Sequence, residues 1–151
     1  MKKDLSSAKK ASYRLLKIRP RSEYELRNHL KLKGFQKDII DSAITELHRI
    51  GLLDDLAFAK LWVESRIKRP LGLNRLSYEL KVKGVAKDII NQVISKYDSP
   101  GKEEDVVREL INRKIEKIAH LDKTKIKSRL WSYFLRKGFS KDIVYDVLSE
   151  L

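Results

Sequence analysis

Apolar residues recur along this chain at helical spacings of three and four, with no stretch that alternates in steps of two. Ile39, Ile40, Ala43, Ile44 and Leu47 fall on one face of a predicted helix over 36–49. Ile89, Ile90, Val93, Ile94 and Tyr97 do the same over 86–97, and Ile143, Val144, Val147, Leu148 and Leu151 over 140–151. Each of these helices follows a glycine, and each glycine ends another amphipathic segment, at 22–33, 74–83 and 123–137. Leading helices precede those segments at Ala8–Ile18, Asp55–Ile67 and Lys102–Ile118. Their predicted faces are Ala11, Leu15 and Ile18, then Phe58, Leu61, Trp62 and Ser65, then Val106, Val107, Leu110, Ile111, Ile115 and Ile118. The expected fold is all-α, with nine helices in three tandem three-helix repeats.

The repetition is literal. Lys33, Gly34, Lys37, Asp38 and Ile39 return as Lys83, Gly84, Lys87, Asp88 and Ile89, then as Lys137, Gly138, Lys141, Asp142 and Ile143. The offsets are 50 and 54 residues (34 to 84, 84 to 138), and eight of twelve positions are identical between Leu30–Asp41 and Leu80–Asn91. Repeat boundaries are expected at 1–51, 52–98 and 99–151, with Ser99-Pro100-Gly101 as the clearest linker. A three-helix unit of about 50 residues buries little by itself, so neighbours should stack into an elongated, curved array. A compact nine-helix globule is the other arrangement open to such a chain.

Local chemistry supports these boundaries. With Gly34 as a left-handed C′ residue, Leu30 and Phe35 become the hydrophobic pair of a Schellman motif. Leu80 with Val85, and Phe134 with Phe139, repeat it around Gly84 and Gly138, and Leu47 with Leu52 extends it to Gly51. These four glycines are read as structural helix stops. Ser22 and Glu25 have capping-box spacing, and Asp54 or Asp55 caps the helix that follows. Arg19-Pro20 and Arg69-Pro70, again 50 apart, are expected to end the first two leading helices.

Composition excludes several kinds of chemistry. With no cysteine there is neither a disulfide framework nor a zinc-thiolate site. No apolar run is long enough to span a membrane, and Met1-Lys2-Lys3-Asp4 opens a polar stretch, so a soluble, cytoplasmic protein is expected. The glycines form no phosphate loop, no serine stands in a nucleophile-elbow motif, and His29, His48 and His120 lack partners at ligand spacing. No enzymatic activity, cofactor or metal is expected.

Charge is the feature that points to a partner. Lys and Arg number 34 against 21 acidic residues, a net charge of +13. The middle helices carry 12 basic and 3 acidic residues, whereas the third helices carry 5 and 7. A helix-turn-helix reading would send those third helices, with Asp38, Asp41 and Glu46 or Asp142, Asp146 and Glu150, towards phosphates, and repulsion argues against it. The middle helices instead offer Arg27, Lys31 and Lys33, then Arg75, Lys81 and Lys83, then Lys125, Lys127, Arg129, Arg136 and Lys137, as a basic strip suited to a phosphate backbone or an acidic protein groove. Lys33, Lys83 and Lys137 also fit helix C-termini, where a cation favours the dipole. Arg66, Lys68, Arg69 and Arg75 crowd the corner Pro70-Leu71-Gly72 beyond any need for capping, although Arg66 could also shield the Trp62 ring.

Several residues together resemble the bacterial RecX family. They are Ser22-Glu23-Tyr24-Glu25-Leu26, Leu30, Gly34, Gly51-Leu52-Leu53-Asp54-Asp55, Phe58-Ala59, Trp62-Val63, Arg66, Gly72 and Glu79-Leu80 with Gly84-Val85. The resemblance covers essentially the whole chain and is densest from Ser22 to Gly84; the third repeat matches mainly through its repeat logic. It implies three tandem three-helix repeats without catalytic activity, acting on the RecA–single-stranded-DNA filament. The implied effect is lowered RecA ATPase, strand exchange and co-protease activity, in recombinational repair and the SOS response. Arg66 matches the family motif, and with Arg69 and Arg75 it is the first choice for a contact residue. A monomer is expected. The alternative is a sequence-tolerant nucleic-acid binder that acts without RecA.

Overall fold

In a computed structural model, residues 3–151 are described; Met1 and Lys2, part of the polar N-terminal stretch, lie outside them. Nine α-helices and no strands are found among the described residues. They are α1 (Leu5–Ile18), α2 (Glu23–Leu32), α3 (Lys37–Arg49), α4 (Asp55–Arg66), α5 (Leu73–Val82), α6 (Lys87–Ser95), α7 (Lys102–Ile118), α8 (Lys123–Arg136) and α9 (Lys141–Ser149). The chain forms two compact units. The first runs up to Trp62 and includes Leu80–Ile90; the second comprises Val63–Glu79 and Asn91–Leu151.

In the first unit α1, α2 and α3 pack on one another around Ala8, Leu26, Leu30, Phe35, Ile40, Ala43, Ile44, Leu47 and Leu53, all buried. In the second, α7, α8 and α9 enclose Val107, Leu110, Ile111, Leu130, Phe134, Phe139, Val144, Val147 and Leu148. Phe134 is the hub there, with edge-on contacts to Tyr133 and Phe139 at 5.3 and 5.5 Å between ring centroids.

The glycine stops have the predicted geometry. Gly34, Gly84 and Gly138 adopt φ of 90°, 77° and 82°, and in each the next residue's N–H donates to the C3 carbonyl: Phe35 to Leu30, Val85 to Leu80, Phe139 to Phe134. Gly51 ends α3 likewise, but the apolar closure differs. Leu52 and Leu53 both donate to the Leu47 carbonyl, and Leu53 (2% exposed), not Leu52 (49%), enters the core.

Four expected helix details shift. Helix α1 begins at Leu5, because Asp4 accepts the Ser7 N–H and supplies an N-cap ahead of the apolar stripe. Its buried residues are Ala8 and Ser12, and Ile18 at the fraying end is 76% exposed. Ser12 escapes the cost of burial by donating to the Ala8 carbonyl at 2.8 Å. Helix α4 buries Phe58, Ala59 and Val63 and leaves Leu61 half exposed, so its packed face is rotated from the one the pattern suggested. It also ends at Arg66, three residues before Arg69-Pro70, and the residues between form a corner of turns.

Candidate functional site: a basic cleft at a helix junction

The Lys-Gly that closes a middle helix also receives the start of the preceding middle helix. Within the first unit, Ser22 Oγ donates to the Lys83 carbonyl at 2.6 Å. A Cβ on Gly84 would fall 2.2 Å from the Tyr24 Cβ, so only glycine admits that approach. Within the second unit the same contact is made by backbone. Gly72 N–H donates to the Lys137 carbonyl at 2.7 Å and Asn74 N–H to the Gly138 carbonyl at 3.2 Å. Carbonyls left unpaired at the end of α8 are thus satisfied by N–H groups from the start of α5. A Cβ on Gly72 would lie 2.3 Å from the Gly138 carbonyl carbon and oxygen.

Residues at equivalent repeat positions line both junctions: Arg19 matches Arg69, Glu25 matches Arg75, Val82 matches Arg136 and Lys83 matches Lys137. At the first junction, charge is internally balanced. Glu25 closes the capping box with Ser22, takes Arg19 at 2.6 Å and lies 3.4 Å from Lys83. Burial pushes the Glu25 carboxyl up, but Arg19, the Ser22 N–H and Lys83 outweigh this and hold it below the usual carboxylate range. Lys83 also lies over the Trp62 ring at 5.1 Å.

At the second junction the central carboxylate is replaced by Arg75. Arg66, Arg69, Pro70, Leu71 and Arg75 on one side, and Tyr133, Arg136 and Lys137 on the other, line an open cleft of ≈ 570 Å³. Glu79, almost buried, holds Arg66 in a two-point pair at 3.0 and 2.6 Å and accepts Arg75 Nε at 3.1 Å. Glu79 therefore anchors two of the lining arginines. Arg69 and Arg136 are exposed and make no salt bridge with a described residue. Lys137 lies 5.8 Å from the Tyr133 ring centroid, and Lys114 lies 4.0 Å from it.

Of the ten basic residues singled out from sequence, the cleft gathers Arg66, Arg69, Arg75 and Arg136. Lys68 and Arg129 are exposed outside its lining. Arg27, Lys31, Lys81 and Lys83 belong to the first unit, where Arg27 is bound by Glu23 at 3.0 Å and by Asp41 at 2.7 Å. Of the other lining residues, Lys137 was open to either the basic strip or a helix C-terminus, and Tyr133 carried no functional assignment; neither did Glu79. The spacing of Glu79 four residues after Arg75 was the available signal. Between the two candidate caps of α4, Asp54 is the one that accepts the Ala57 N–H; Asp55 reaches the Glu23 N–H at 2.8 Å. His48 pairs with Glu23 at 2.6 Å, and among the described residues no His, Asp and Glu cluster could hold a metal ion. No helix of the described residues is long and apolar enough to cross a membrane.

The fold and this cleft define an all-α protein of three tandem three-helix repeats with a concentrated basic surface at one inter-helix junction. Comparison with known proteins gives this class its family. Models of the first, second and third three-helix domains of RecX match residues 8–47, 54–94 and 102–148. Regulatory protein RecX of Amycolatopsis mediterranei is 34% identical over 145 residues, 95% of this chain and 82% of the relative. That of Prosthecochloris aestuarii is 32% identical over 139 residues, 90% of this chain and 87% of the relative. The crystal structure of RecX from Lactobacillus salivarius shares the fold, with a TM-score of 0.85 at 21% identity over 98% of this chain and 96% of that one. The chain belongs to the RecX family of regulatory proteins.

Proposed function

We propose that this protein binds the RecA–single-stranded-DNA filament and lowers its ATPase, strand-exchange and co-protease activities, acting as a cytoplasmic monomer in recombinational repair and the SOS response. Membership of a regulatory family supports action through a macromolecular partner. The observation that carries the reading is the second junction, where Arg69, Arg75, Arg136 and Lys137 stand at positions that include a neutralising carboxylate in the first. Such a concentration of cations is kept in place by rigid elements: the Gly72 and Asn74 hydrogen bonds and the Glu79 ion pairs. It suits acidic surfaces of a protein filament or the phosphates within it. Arg69 and Arg136 are the first contact candidates; Arg66 and Arg75, paired with Glu79, shape the cleft.

The test is ATP hydrolysis by RecA on single-stranded DNA titrated with this protein. Inhibition at or below equal ratios is expected, and its absence would overturn the proposal. Tight, steeply salt-dependent binding to naked DNA with no effect on RecA would establish the RecA-independent binder instead.

A further inference from the structure

The two junctions form a natural comparison within one chain. Each closes a middle helix with Lys-Gly, and each brings an arginine before a proline (Arg19, Arg69) to the next middle helix. In the first, Glu25 takes up both neighbouring cations. In the second, Arg75 occupies the equivalent position and Val82 becomes Arg136, so the four equivalent positions change from one carboxylate with two cations to four cations. Glu79, which is not among the lining residues, is engaged by Arg66 and Arg75.

We infer that the second junction is a receptor for an oligophosphate group, which takes the place that the Glu25 carboxylate fills in the first. Guanidinium forks match phosphate oxygens two at a time, and three of the four cations are arginines. A lone carboxylate would leave most of the charge uncompensated, whereas successive phosphates each bring at least one negative charge. The ≈ 570 Å³ cleft is within the range of small-ligand sites and is open to an extended chain as well. The phosphates could come from a nucleoside triphosphate or from a nucleic-acid backbone, and both present the same chemistry to Arg69 and Arg136. The assignment rests on the cleft being the functional site proposed above, but it does not require RecA.

The experiment is isothermal titration of the full chain with sodium tripolyphosphate at low ionic strength, without RecA. One saturable equivalent is expected. Arg69→Ala with Arg136→Ala should weaken it by about tenfold or more, because charge-assisted hydrogen bonds are lost. Lys123→Ala with Lys125→Ala, which removes the same charge from exposed positions outside the cleft, should change it by no more than about twofold. Unchanged melting of both variants verifies that they fold. Absence of saturable binding, or equal losses in the two double variants, would overturn the inference. Competition then separates the sources: displacement by ATP assigns a free nucleotide, and displacement by an oligothymidylate assigns a backbone. Phosphate binding lost while RecA inhibition persists would uphold the receptor and refute its use at the filament. Inhibition lost in the arginine variant with no tripolyphosphate binding in the wild type would do the reverse.

Discussion

Replacing Gly72 by alanine separates two accounts of this molecule by the sign of the effect. Gly72 lies outside the positive-φ set of Gly34, Gly51, Gly84, Gly101 and Gly138. On backbone conformation alone, Gly72→Ala should therefore be harmless or stabilising by up to about 1 kcal/mol, through a less flexible unfolded chain. The junction predicts the opposite. The new Cβ would stand 2.3 Å from the Gly138 carbonyl and 2.4 Å from the Phe139 nitrogen, and none of these backbone atoms can swing aside. Relief requires the two segments to part, which lengthens the 2.7 Å Gly72–Lys137 and 3.2 Å Asn74–Gly138 hydrogen bonds together. Losing two such bonds costs about 1 kcal/mol each, and stranding a carbonyl adds about 1 kcal/mol more, for a total of roughly 3 kcal/mol. In a chain of this length that lowers Tm by roughly 6–12 °C. Urea unfolding of wild type, Gly72→Ala and Gly51→Ala provides the assay. Gly51 has φ of 78° but nothing within 4 Å of its missing Cβ, so its substitution carries only the left-handed penalty of about 1–2 kcal/mol. Gly72→Ala should be the less stable variant, and it should also weaken RecA inhibition because Arg69 and Arg75 move away from Arg136. Gly72→Ala at or above wild-type stability would refute the junction as the element that holds the cleft.

Arg66→Ala removes the two-point partner of an almost buried carboxylate that keeps Arg75, and should cost about 2–3 kcal/mol in denaturant unfolding. Arg69→Ala, by contrast, should change stability by no more than about 0.5 kcal/mol while raising the concentration needed for half-inhibition of RecA ATPase, and Arg136→Ala should behave likewise. Glu25→Gln should flatten the acid limb of stability. The native Glu25 carboxyl lies below its unfolded value of about 4.3, so its contribution is present above that pH and is lost as pH falls through the lower native pKa. Urea midpoints measured from pH 6 to pH 3 for wild type and Glu25→Gln check the slope difference.

The secondary structure was legible because its signals are local. Lys-Gly at the end of an amphipathic run names a C-cap, and Ser22 with Glu25 names an N-cap, with no need for tertiary information. Packing was legible where a helix has one apolar stripe, as in α3. It was not in α4, whose apolar residues Phe58, Ala59, Leu61, Trp62 and Val63 surround much of the helix and leave the choice of face to its neighbours. The basic corner at Pro70 was visible as a cluster, but its closure by Arg136 and Lys137 was not, because 61 residues separate Arg75 from Arg136 and only the fold brings them to one cleft. The basic strip of the middle helices is likewise changed by contacts that spacing cannot show: Arg27 and Lys83 are met by Glu23, Asp41 and Glu25.

The internal repeat supplies a test for function that needs no second protein. Among the positions that keep their identity across repeats are ones fixed by geometry, with Leu30 and Leu80 in cores and Gly34, Gly84 and Gly138 at left-handed caps. At the two junctions the repeat is instead broken as a group. Ser22 becomes Gly72, Tyr24 becomes Asn74, Glu25 becomes Arg75 and Val82 becomes Arg136. The first two changes exchange a side-chain contact for backbone hydrogen bonds and a closer approach, which preserves the joint. The last two raise the positive charge of the joint, and Glu79, which stands where the first repeat has His29 and pairs with Arg66 and Arg75, offsets it only in part. A change that holds the geometry constant while adding like charges is difficult to explain by stability, and it is accounted for when the second joint, unlike the first, is completed by its partner's negative charge.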